Sequence, residues 1–211
     1  MFINKNVFVN CPYDDKYILL RPIVFTIKLL GFNPRLAMES ADSGMMRITR
    51  ICNLIKNSRY AIHDLSRLRA NRSGEPFRLN MPFELGLDFG CREFGTGQLK
   101  RKKSLVLEKD KYSMKEALSD LSNSDVCSHN NEPEKAVLHV RNWLVQEAGA
   151  EGPSGTAIWF AYNDFNTDLY KKLYCSGFRK VDVVSLPLLE LLKYMTEWIK
   201  RNILGKDRPY S

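Results

Sequence analysis

The chain has 211 residues, 44% of them hydrophobic and 27% charged, and a formal charge of +8 at neutral pH. That length suits one ordinary domain plus an extension, with enough apolar content for a real core. Apolar runs are broken by charge well before the roughly 18 residues a membrane span needs. The five cysteines are odd in number, widely spaced and without a CxxC, which argues against both a zinc site and a disulfide framework.

In chain order, "NVFVN" (Asn6 to Asn10) reads as a short buried first strand. The residues before it lack the basic, apolar and cleavage-site segments of a signal peptide, so a reduced, cytoplasmic protein is expected. After the loop "CPYDD", an amphipathic helix runs from Tyr17 to Leu30, with Pro22 marking a first turn or kink and Gly31 ending it. "FNPRLA" is a weaker second strand. "ADSG" (Ala41 to Gly44) supplies helix-starting residues, after which Ile48, Ile51, Cys52 and Ile55 share one helical face. "RYAIHDL" (Arg59 to Leu65) is a third strand, followed by a polar, basic loop to Arg78.

"LNMPFELGLDFG" (Leu79 to Gly90) is a helix, with Asn80 as its N-cap and Pro82 and Glu84 in its first turn. The basic run "LKRKK" (Leu99 to Lys103) has no interleaved aromatics and reads as a solvated loop, not a nucleic-acid patch. "KSLVLEK" (Lys103 to Lys109) and "DVCSH" (Asp125 to His129) are strands four and five, and Glu134 to Glu147 is a helix. "GAEGPSG" (Gly149 to Gly155) marks a boundary. Residues 1–150 thus form one domain, and residues 151–211 a helical C-terminal extension with segments near Thr156 to Cys175 and Leu188 to Leu204. Strands alternating with helices imply a parallel sheet covered on both faces.

Open parallel sheets bind ligands outside the carboxyl ends of their strands. The segments Asn10 to Asp15, Arg35 to Gly44 and Asp64 to Arg67, together with Glu84, gather there on this reading. Taken alone, Glu84 has an ordinary explanation, since an acid in a helix's first turn is favoured by the macrodipole by about 0.3–1 kcal/mol. His63 and His129, at strand ends, read as satisfied histidines before they read as bases. Walker, HExxH, GxSxG and kinase motifs are absent.

"VFVNCPYDD", "DSGMMRITRICNLIKNSRYAIHDLS" and "NMPFELGL", in that order, resemble a TIR-like family related to the nucleoside 2-deoxyribosyltransferases. The likeness spans about residues 5 to 110. It rests on Asp64, Leu65 and Ser66 ending strand three, then Asn80, Glu84, Leu85 and Gly86 opening the next helix. The approach to that glutamate departs from the family pattern at Phe77, Arg78, Leu79 and Asn80.

The resemblance implies a flavodoxin-like (TIR-like) fold and N-glycosidic chemistry, foremost cleavage of NAD by Glu84, with NAD as substrate and no cofactor or metal. It implies substrate contacts from Asn10, Arg35, Ser43, Asp64, Ser66 and Asn80, with Arg47 a further candidate for the pyrophosphate. It also implies an effector role in bacterial antiphage defence, with a homo-oligomer or a defence-system protein as partner, while the short apolar runs and the charge pattern given above argue against a membrane or nucleic acid as partner. A nucleoside or nucleotide N-glycosidase, a deoxyribosyltransferase and a non-catalytic nucleotide sensor stand as alternatives.

Overall fold

The computed structural model describes residues 3–13, 17–38, 44–68, 79–121 and 126–205. Five strands, β1 (Asn6–Asn10), β2 (Asn33–Arg35), β3 (Tyr60–Asp64), β4 (Lys103–Glu108) and β5 (Val126–Ser128), form one sheet in the order β2-β1-β3-β4-β5. Every pairing is parallel. This is the flavodoxin-like order, whose ligand crevice lies where the chain reverses direction, between β1 and β3.

Period-two alternation along the strands sorts side chains onto two faces. Val7, Val9, Tyr60, Ile62, Leu105 and Leu107 join one core with α1 (Leu20–Leu29) and α5 (Pro133–Ala148). Phe8 and Ala61 point the other way and pack on Ile51, Leu54 and Ile55 of α2 (Arg47–Lys56). Val106 joins Met81 and Leu85 of α3 (Asn80–Glu93) and Met114 of α4 (Ser113–Ala117) on that second face.

Helix α1 ends because Gly31 takes a φ of +80°, a region that an added Cβ disfavours. The Phe32 amide then donates to Ile27 O and the Gly31 amide to Lys28 O, closing the orphan carbonyls of the last turn.

The extension is a third layer on the α1/α5 face. Helices α6 (Gly155–Cys175), α7 (Lys180–Val184) and α8 (Leu188–Ile199) place Leu169, Val183, Leu191, Met195 and Trp198 in the same core as α1. Phe25 of α1 is the anchor, with Phe165 stacked at 5.4 Å and Tyr162 and Trp198 within 6 Å.

The structure corrects the sequence at three points. Asn80 is the first residue of α3, not its cap, and Leu79 precedes it without a side-chain cap bond. Glu84 therefore falls in the second turn, beyond the first-turn acids that the macrodipole favours. Lys102, read as part of a solvated basic loop, is buried, whereas Lys100 and Arg101 beside it are exposed. Among the described residues no helix is long and apolar enough to cross a membrane.

Candidate active site at the carboxyl edge of the sheet

Helix α3 presents Met81, Glu84, Leu85 and Asp88 to the sheet, at the three- and four-residue spacing of a single helical face. Its N-terminal end is tied to β1 by Asn10, whose side-chain amide donates to Met81 O (2.9 Å) and to His63 Nδ1 (3.0 Å). With Nδ1 accepting, the ring proton lies on Nε2 and faces Asp88 Oδ2 at 3.2 Å.

Asp88 is enclosed by partners. Ser104 Oγ donates to Oδ2 (2.5 Å), and the Lys102 ammonium lies 2.9 Å from Oδ1. That second contact is ionic and not a well-angled hydrogen bond, since Lys102 directs Nζ protons at Ile55 O and Ser58 O. Burial opposes the charge on Asp88. The hydrogen bond and electrostatic attraction of His63, then Lys102 and Ser104, outweigh burial and hold the carboxyl well below the usual carboxylate range.

Glu84, one turn nearer the helix start, has a different environment. It is only 4% exposed, and among the described residues no hydrogen-bond donor or ion-pair partner sits on its carboxylate. Burial pushes its carboxyl up to about 7, against the pull of Arg47 at the start of α2.

Around Glu84 lie residues of the loop after β1. Cys11 is buried close enough to Asp64 and Glu84 to feel both charges. Burial first, then those two anions, push its thiol well above the usual range, so it remains a protonated and unreactive thiol. Burial likewise pushes up the phenols of Tyr13 and Tyr17 and keeps them as donors. Tyr13 donates to Val9 O (2.7 Å) and Tyr17 to Asp64 Oδ2 (2.5 Å).

Asp64, at the end of β3, has further partners. Both the backbone amide and the hydroxyl of Ser66 donate to Oδ1, and His129 Nε2 lies 3.2 Å from Oδ2. His129 accepts from the Asn131 amide at Nδ1, so its proton is on Nε2, facing Asp64 and Ser66 Oγ. A carboxylate offers about four lone-pair sites, and four donors converge on this one. Asp64 and Ser66 thus lock β5 and the β1 loop to the end of β3.

Of the residues expected here, Asn10, Asp64, Ser66 and Glu84 come together at the β1/β3 edge, with Cys11 close enough to feel both acids. Both amide protons of Asn10 are committed within the protein. Asn80 is exposed on the first turn of α3. Arg35 ends β2 beside Phe8, two residues short of Asn10, so the cation acting on Glu84 is Arg47. Ser43, Phe77 and Arg78 lie outside the described residues. Sequence reasoning passed over Cys11, Tyr13 and Tyr17; the signal was there in two tyrosines four residues apart directly after a first strand. Among the described residues no cluster of three or more His, Cys, Asp or Glu is placed to hold a metal ion.

Comparison with protein-family models, curated proteins and solved structures finds no match for this chain. What the coordinates define is a class: a flavodoxin-like parallel α/β protein with two buried acids, Asp64 and Glu84, at the switch point of its sheet.

Proposed function

We propose that the protein hydrolyses the nicotinamide–ribose bond of NAD, with Glu84 as the catalytic carboxylate. The observation that carries this reading is the state of Glu84, which is buried at the strand ends, titrates near neutrality and has no partner on its oxygens among the described residues. A buried carboxylate without a counter-charge is costly. A cationic substrate supplies that charge. NAD presents a pyridinium, and as the C1′–N bond breaks the positive charge moves from the ring to C1′ and O4′.

The electron pair of the broken bond stays on the nicotinamide nitrogen, which leaves neutral, so no general acid is required. Ionised Glu84 stabilises the oxocarbenium centre more than the ground state, which is the differential binding that accelerates a reaction. Water then adds to C1′ and loses a proton to Glu84 or to solvent. An effector role in antiphage defence accompanies this reading through the resemblance described above.

The same titration favours a second reading. Near pH 7 the protonated form of Glu84 is also populated, and it could protonate the base leaving a neutral nucleoside, as an N-glycosidase or deoxyribosyltransferase requires. The two differ in sign: cleavage of NAD rises with pH through about 7, whereas cleavage of a neutral nucleoside falls.

The test is chromatographic detection of free base from NAD and a panel of nucleosides and nucleotides, alone and with candidate partners. Glu84→Gln should lose on the order of 10²–10³ in rate, the cost of removing comparable electrostatic help. Binding of NAD without release of nicotinamide under every condition would leave a nucleotide sensor in place of the enzyme.

A further inference from the structure

Next to the Glu84–Asp64 cluster, on its extension side, lies a pocket of about 460 Å³. Its inner wall is Tyr13 and Tyr17, the residues whose hydroxyls are tied to Val9 O and Asp64. With the hydroxyl ends fixed, the rings are held as a rigid aromatic surface. Met38 and Ile18 flank them, and the outer wall is Val184, Ser185, Leu186 and Leu188 of the extension, with Leu191 of α8 behind.

Arg21 also lines the pocket. It holds the extension in register, its Nη2 donating to Val183 O (2.9 Å) and Val184 O (2.6 Å) at the end of α7. The pocket therefore has one wall from each part of the chain. Its tyrosines face the reacting site at one end and the extension along their sides.

We infer that this pocket is a nucleobase subsite that seats the adenosine end of the dinucleotide while the other ribose lies at Glu84. The inference rests on Glu84 acting at a glycosidic bond. The volume falls within the roughly 300–1,000 Å³ of small-molecule sites, and the lining is the expected one, apolar and aromatic with a single charged group. A planar base stacks on aromatic faces, and a guanidinium at the rim meets the phosphates that link the two halves. Tyr17 links the two regions, its ring lining the pocket and its hydroxyl donating to Asp64 at the β1/β3 edge. The extension then has a role in substrate selection that the sheet domain alone would lack.

The experiment measures calorimetric binding of AMP, and kcat/KM for NAD against nicotinamide mononucleotide, which lacks the adenylate half. The variants are Val184→Trp and Ser185→Trp in the full chain. Both side chains are exposed at the rim, so a large residue can fill the pocket without entering the core. AMP should bind the unmodified protein, and at least one folded variant should weaken it tenfold or more and reduce the preference for NAD over the mononucleotide. AMP that fails to bind at millimolar concentration, or that binds both folded variants as it binds the unmodified chain, overturns the subsite. AMP binding that is blocked by the tryptophans while no nicotinamide is ever released would keep the subsite and reject the cleavage reaction.

Discussion

Glu84 and Asp88 are one helical turn apart, on the same helix, facing the same sheet and nearly equally buried. Their environments push them in opposite directions. Asp88 has a histidine, a lysine and a serine on its oxygens and is held ionised; Glu84 has, among the described residues, burial with only an outlying arginine and is pushed up to about 7. Burial alone therefore says nothing about a carboxylate's task. The deciding quantity is how many donors the protein supplies. Asp88, satisfied by its partners, fastens the helix to β3 and β4, whereas Glu84, short of partners among the described residues, is the acid we propose to meet a ligand.

Removing the partnered acid should have the largest effect. Asp88→Asn leaves the Lys102 ammonium buried, with only carbonyl oxygens to answer its charge. Uncompensated buried charge typically costs about 3–5 kcal/mol, and urea unfolding should read a loss of that size. Lys102→Met combined with Asp88→Asn should recover much of it. The pH dependence follows from the depressed carboxyl. The unfolded chain binds the proton more readily, so this contribution is present above the ordinary aspartate pKa and is lost as pH falls below it. If Asp88→Asn unfolds like the unmodified chain, the network is not what fastens α3.

Glu84→Gln should act in the opposite direction on stability. A folded-state carboxyl near 7, against about 4.5 in the unfolded chain, destabilises the native state as pH rises between those values. At 1.36 kcal/mol per tenfold change in proton affinity, the full effect is roughly 3 kcal/mol. The variant should match the unmodified protein near pH 4.5 and exceed it by up to that amount at pH 8. Equal stability at both pH values would mean that Glu84 ionises without cost.

Arg47→Gln should give the smallest effect. Arg47 lowers the Glu84 pKa, so its loss should raise the midpoint of the pH–rate profile. Arg47 is exposed, and salt should shrink that displacement. A profile that does not move at low salt would place Arg47 away from the site.

Much of this was legible in the sequence. "NVFVN" reads at its observed bounds and "RYAIHDL" one residue long at each end, because short apolar-centred segments suit a sheet covered on both faces. Gly31 marked a true left-handed helix end. The elements missed were short ones. Helix α7 is five residues of "KVDVV", whose β-branched composition argues against a helix and which forms under the Arg21 clamp and the packing of Val183.

The edge location of Glu84 and Asp64 was also legible, through strand order. Their partners were not. Lys102 and Asp88 meet across separate elements, and nothing in "LKRKK" distinguishes the one lysine that turns inward. The tying of Asp64 by Tyr17, Ser66 and His129 likewise joins three parts of the chain that only the folded sheet brings together.

The most direct test of the contrast is a carboxyl ¹³C NMR titration, with the Glu84 resonance assigned by its loss in Glu84→Gln. Glu84 should titrate with a midpoint near 7, while the Asp88 carboxyl stays ionised below the pH at which ordinary aspartates gain their proton. A Glu84 midpoint near 4.5, in the range of an exposed glutamate, would contradict the account and return that residue to an ordinary helix position.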